Sequence, residues 1–135
     1  AARSLKLVSS EFFTQYQSVV SIYNFISQIE KSNPRIASVV TIGKSFENRS
    51  IKMIRLGFNH KSKTKPVIWI DAGIHAREWI APATACYIIN QLVTRRNNSE
   101  ISNLLKKFDW YIVPVVNPDG YEFSRTNVGI LRKKI

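Results

Sequence analysis

Between Gln17 and Ser32, apolar residues recur at Val19, Ile22, Tyr23, Ile26 and Ile29. Steps of three and four residues place them on one side of a 3.6-residue turn, which predicts an amphipathic helix. Asn33-Pro34 ends it, because proline pushes the residue before it out of helical backbone. The pattern then changes to runs rich in Val, Ile and Met at Ala37 to Ile42 and Ser50 to Leu56. The second run alternates apolar with basic residues, and the segment from Gly43 to Arg49 between them is turn-prone. Two antiparallel strands at a sheet edge are expected. Val67 to Ile70 is apolar on both faces, as a strand covered by helices on each side would be. A helix is expected from about Pro82 to Thr94, with proline in its first turn. A shorter one should run from Ser99 to Lys107, capped by Ser99, with Ile101, Leu104, Leu105 and Phe108 as its apolar side. Trp110 to Val116 reads as another buried strand, closed by the turn sequence Asn117-Pro118-Asp119-Gly120. Strand–helix–helix–strand predicts parallel pairing through a right-handed crossover. The fold class is α/β, a mixed and mostly parallel sheet with helices on both faces.

Composition narrows this picture. At 135 residues, 44% hydrophobic and 21% charged, the chain fits one globular domain or part of one and is not a disordered tract. It contains no repeat, low-complexity tract or linker. No apolar run approaches the roughly 18 residues that span a bilayer, and Ala1 to Ser10 lacks the apolar centre of a secretory signal. The net charge of +11 raises the question of nucleic acid. The basic residues are scattered, however, with Lys61, Lys63 and Lys65 in one loop, Arg95 and Arg96 after a helix, and Lys106 and Lys107 later. None forms a helical stripe interleaved with aromatic rings, so a solvated basic surface is expected, with neither nucleic acid nor membrane as a partner. Cys86, the one cysteine, falls in an apolar helical pattern and reads as a small core residue. Tyr16, Tyr23 and Phe25 read as packing residues, and His60, among lysines, as a solvated side chain. Asn48-Arg49-Ser50 and Asn97-Asn98-Ser99 are glycosylation sequons, both where loops are expected.

The candidate chemistry lies just past Val67 to Ile70. The chain turns at Asp71-Ala72-Gly73, and His75 and Glu78 follow three residues apart before the next helix. Ligands in open α/β sheets sit in the crevice outside the carboxyl ends of the strands. Imidazole and carboxylate both bind zinc, and a catalytic zinc takes three protein ligands and leaves one position open. The pair offers two of the three. The competing reading is a His75–Glu78 ion pair that steadies the turn. His60 precedes the strand whereas His75 follows it, and a strand rising roughly 3.3 Å per residue keeps them at opposite ends. His60 is therefore excluded as the third ligand.

Asp71-Ala72-Gly73-Ile74-His75-Ala76-Arg77-Glu78-Trp79 resembles the zinc-binding signature of the metallocarboxypeptidases of the pancreatic A/B type. Val116-Asn117-Pro118-Asp119-Gly120-Tyr121 resembles a second signature of that family at the expected distance downstream. The likeness runs along the whole chain yet covers less than half of the family's catalytic domain. It implies an incomplete α/β/α sandwich, with residues 1–135 the N-terminal portion of a single peptidase catalytic domain. It also implies one zinc ion that activates water against the last peptide bond of a polypeptide, so that peptide or protein C-termini are the substrate. His75 and Glu78 match two zinc ligands, and Arg77 matches an arginine that helps hold the substrate. For Arg77 the competing reading is a salt bridge to Asp71 or Asp119. Arg132 matches the arginine that stabilises the developing oxyanion and contacts substrate, although Leu131 stands where the family commonly has tryptophan, and Gly129 where arginine is frequent. For Arg132 the competing reading is a solvated basic cluster with Lys133 and Lys134. The family's third zinc ligand, its general-base glutamate and its carboxylate-gripping residues would fall beyond Ile135. The resemblance further implies a secreted, monomeric enzyme made with an upstream pro-segment, removed at a junction like Ala1-Ala2-Arg3-Ser4. On this reading the chain is truncated and inactive alone. A non-enzymatic short relative or binding module that keeps half the fold is the alternative.

Overall fold

In the computed structural model, which describes residues 10–62 and 64–127, the first long helix, α1, spans Val19–Ser32. It starts two residues later than the periodicity predicts because Ser18 caps it, its hydroxyl accepting from Ser21 N–H at 3.1 Å. The expected apolar stripe is its buried side, joined by Phe25. A short 3₁₀ turn at Ser10–Thr14, not foreseen from the sequence, brings Phe12 and Phe13 against Phe25. Strands β1 (Ala37–Lys44) and β2 (Ser50–Leu56) form the expected antiparallel pair, with a bulge between Thr41 and Gly43. Next come β3 (Val67–Asp71), α2 (Ile80–Thr94), α3 (Ser99–Lys107) and β4 (Asp109–Val113). Asn98, not Ser99, caps α3, accepting from Glu100 and Ile101 N–H.

The sheet is mixed, in the order β1-β2-β4-β3. β2 and β4 are antiparallel, and β3 and β4 are parallel as predicted. β4 stops at Val113 rather than Val116, because Pro114 has no N–H to continue the ladder. Asn117-Pro118-Asp119-Gly120 is not a simple turn but the start of a further helix, α4 (Pro118–Thr126). The Asn117 side chain caps it by accepting from Gly120 N–H at 3.0 Å, with Pro118 at the first position, where its missing N–H costs nothing.

The core lies between one sheet face and the helices. Ile54, Leu56 and Ile112 meet Ile22, Ile26, Cys86, Ile89, Leu105 and Tyr121 there. Strand side chains alternate in direction, and the other face is much less covered. Val67 and Trp69 are 47% and 52% exposed while Ile68 and Ile70 are half-buried, so among the described residues β3 is partly covered on one face and open on the other, not covered on both. β3 is one of the sheet's two edges, and β4 lies inside it between β2 and β3. Two basic-loop expectations change as well. His60 is buried in a 3₁₀ turn, not solvated, and Lys65 turns inward to set its ammonium 2.9 Å from the buried Asp109.

Cys86 sits in the core, where burial pushes its thiol up to about 12. The thiolate is the species that reacts, so a raised value keeps the sulfur protonated and inert through neutral and mildly basic pH. In the folded protein iodoacetamide should leave Cys86 unmodified at about pH 8. Denaturant should make it react at the rate of a free thiol, and mass spectrometry of the Cys86 peptide reads the difference.

Candidate metal centre

The ends of β3 and β4 run on together beyond their last ladder pair. Ala72 N–H donates to Val113 O at 3.0 Å, Val116 N–H to Ala72 O at 2.8 Å, and Asn117 N–H to Gly73 O at 3.1 Å. Gly73 has φ +71, and a Cβ there would meet Pro82 Cγ at 3.1 Å and Val115 Cα at 3.5 Å. Only glycine takes that backbone conformation without strain in so tight a space. The chain thus leaves the sheet sharply and enters the turn that carries His75, Arg77 and Glu78.

That turn is closed by Glu78 N–H donating to His75 O at 3.3 Å and by Ala81 N–H donating to Glu78 O at 3.0 Å, just before α2. His75, Arg77 and Glu78 are all exposed. Among the described residues no salt bridge joins His75 to Glu78, and none joins Arg77 to Asp71 or Asp119. Asp71 instead accepts from Trp69 Nε1 at 2.9 Å. Asp119 accepts from Arg49 at 2.7 Å, from Ser45 Oγ at 2.7 Å and from Glu47 N–H at 2.9 Å. Burial acts to raise the Asp119 carboxyl, but these bonds together outweigh it and hold it below the usual range. Both competing readings, the His–Glu pair and the Arg77 bridge, are thus unrealised among the described residues.

Helix α4 fastens the turn from behind. Asn117 Nδ2 donates to Ile74 O at 3.2 Å. Ser124, 4% exposed, accepts from Trp79 Nε1 at 2.8 Å, and its hydroxyl lies 2.7 Å from Ala76 O and 2.8 Å from Tyr121 O. The residues on either side of His75, and the one after Glu78, are therefore each held by a side chain from α4 or hold one. Asn117, Ser124 and Trp79 are positioning residues that the sequence reading did not single out. The signal for the first was present, since asparagine followed by proline is a helix N-cap followed by its N1 residue. Nothing local marks Ser124, whose partner is 48 residues away.

Among the described residues no three His, Cys, Asp or Glu side chains come together as a metal cage. What the turn offers is an imidazole and a carboxylate, both exposed and neither spent on another side chain of the described residues. That donor chemistry fits two of zinc's protein ligands. Arg132 lies outside the described residues, as do Gly129, Leu131, Lys133 and Lys134.

Comparison with known proteins locates these features. A family model described as zinc carboxypeptidase, Peptidase M14, matches residues 22–134. Carboxypeptidase B of Helicoverpa zea is 43% identical over 122 residues, covering 90% of this chain and 28% of the relative. Carboxypeptidase A2 of Mus musculus is 39% identical, again over 90% of this chain and 28% of the relative. Among solved structures, thrombin activatable fibrinolysis inhibitor superposes with a TM-score of 0.79 at 35% identity, covering 86% of this chain and 29% of that one. Carboxypeptidase A of Helicoverpa armigera gives 0.77 at 34% identity, covering 84% and 27%. The chain spans less than a third of the length of each of these four proteins.

Proposed function

This chain belongs to the zinc carboxypeptidase family, and on that premise we propose that it is the N-terminal portion of a peptidase catalytic domain. The complete enzyme releases C-terminal amino acids from peptides. The observation that carries this reading is the exposed His75–Glu78 pair on a turn fastened at the carboxyl end of β3. His75 contributes an imidazole nitrogen and Glu78 a carboxylate to one zinc ion, and a third ligand comes from outside these 135 residues. Zinc held there would lower the pKa of a water and polarise the scissile carbonyl.

The chain's own residues do the rest of what this half can do. Arg77 is exposed and has no carboxylate partner among the described residues, so its guanidinium is available to orient a peptide carbonyl or carboxylate. Arg132 donates to the oxygen that gains charge as the peptide bond is attacked, where a preorganised donor is worth most. The enzyme acts outside the cell as a monomer and is made with a pro-segment. No helix among the described residues is long and apolar enough to cross a membrane.

The test is turnover of peptides with free and with amidated C-termini by the full-length enzyme. Only free C-termini should be trimmed, and chelation should stop the reaction. Arg132→Ala should slow turnover by about 10²–10³-fold while zinc content stays at the wild-type level. Unchanged turnover would remove Arg132 from the mechanism, and trimming of amidated peptides would contradict the assigned reaction.

A further inference from the structure

We propose that Asn48 carries an N-linked oligosaccharide and that Phe46 is the platform on which its first sugar rests. The inference rests on the extracellular reading above. A sequon by itself says little, but the structure adds two observations. The first is the state of Asn48. Asn48 N–H donates to Ser45 O at 2.9 Å and Ser45 N–H to Arg49 O at 2.8 Å, so Phe46, Glu47 and Asn48 form a three-residue hairpin loop between β1 and β2. Asn48 occupies its left-handed position at φ 62, as such loops require. It is exposed, and among the described residues its amide makes no hydrogen bond. Asn33, Asn98 and Asn117 are engaged, the first donating to Ile29 O and the others capping α3 and α4, whereas Asn48 shares its unbonded side chain with several exposed asparagines, Asn97 among them. The loop is instead held by Ser45, by Glu47 N–H and by Arg49, all bonded to Asp119. Nothing in the fold calls on the Asn48 side chain.

The second observation is Phe46, two residues earlier in the same loop and 103% exposed, the most exposed large apolar side chain among the described residues. A phenyl ring fully in water on a loop tied down at several points has an apolar face with no partner. The C–H face of a pyranose packs well on such a ring, whose π face is electron-rich. The second sequon lacks this arrangement, since Arg95 stands two residues before Asn97 and Asn98 is spent on its helix cap.

The chemistry is transfer from a lipid diphosphate-linked oligosaccharide by an oligosaccharyl transferase. The Asn48 amide nitrogen bonds to C1 of the reducing-end N-acetylglucosamine and loses a proton. The C1–oxygen bond breaks, and the lipid diphosphate leaves with the electron pair. Neither oxidant nor reductant is required.

The test is to express the full-length enzyme behind a heterologous secretory signal in a eukaryotic cell and map the Asn48 peptide by mass before and after peptide N-glycanase. The expected result is a glycopeptide that the enzyme converts to Asp at position 48. Asn48→Gln and Ser50→Ala should each lose one glycan, seen as a single mobility step. Removing the glycan from the folded protein should lower the melting temperature of the wild type and of Phe46→Trp but leave that of Phe46→Ala unchanged. An unmodified Asn48 in the wild-type enzyme would overturn the site, and the same fall in melting temperature on deglycosylation of Phe46→Ala as of the wild type would overturn the platform. The full-length enzyme is used so that the loop between β1 and β2 stands in its folded setting when the sugar is read. The added signal delivers it whatever its own targeting, so a bare Asn48 counts against this site and not against secretion of the parent enzyme.

Discussion

Full-length enzyme carrying His75→Ala or Glu78→Ala should retain neither its zinc nor its peptidase activity. Each substitution removes one of three protein ligands, and the loss should exceed the about 10–100-fold in affinity or activity that removal of an outer-shell partner costs. The structure sharpens this expectation because the turn does not depend on either side chain. It is closed by backbone bonds and fastened through Asn117, Ser124 and Trp79. The two variants should therefore fold and melt close to the wild type once zinc has been stripped from all three. Metal content by plasma emission and kcat/KM on a C-terminally free peptide are the paired readouts. A variant that kept a full equivalent of zinc and wild-type kcat/KM would remove its residue from the site.

Residues 1–135 expressed alone should be poorly soluble or loosely packed and should show no carboxypeptidase activity with added zinc. The liability lies at β3. It is an open edge of the sheet, with unpaired backbone groups along one side, and it carries Val67 and Trp69 on the sparsely covered face. An apolar edge of this kind templates pairing with other chains, and large apolar side chains left open to water on it add to the tendency. On the proposed reading these residues bring two of three zinc ligands and not the general base, so no turnover is expected of them. Size-exclusion chromatography, calorimetry and alkylation of Cys86 read the outcome together. Aggregates or a broad, non-cooperative melt with a reactive Cys86 are expected, and Trp69→Lys should reduce the aggregated fraction. A soluble monomer with a cooperative melt, an inert Cys86 and zinc-dependent release of C-terminal residues would show this expectation to be wrong.

How much of this could be read from the residues alone depended on whether the signal was local. α1 and α3 followed from periodicity; α1 starts two residues later than expected because Ser18 caps it, and α3 keeps its expected bounds with Asn98 in place of Ser99 as its cap. The β1–β2 pair followed from alternation, and the parallel β3–β4 pairing from element order. Burial was less legible. Val67 to Ile70 has the composition of a strand covered twice, yet cover is supplied by whatever lies across the face, and the strand's own residues do not encode it. His60 shows the converse, a polar residue among lysines that the fold buries. α4 was read as a turn because Asn, Pro, Asp and Gly are turn residues, although the same Asn-Pro pair also opens helices. The placement of His75 and Glu78 past the end of β3 was legible in full. The fastening behind them was not, because the bond from Ser124 to Ala76 spans 48 positions.

The most direct test of the central claim, that His75 and Glu78 are protein ligands of one zinc ion, is an anomalous-difference map recorded at the zinc absorption edge on crystals of the full-length enzyme. A single peak should lie within coordination distance of a His75 ring nitrogen and a Glu78 carboxylate oxygen, about 2.0–2.2 Å from each. A zinc peak that touches neither residue, or one held by His60, would contradict it.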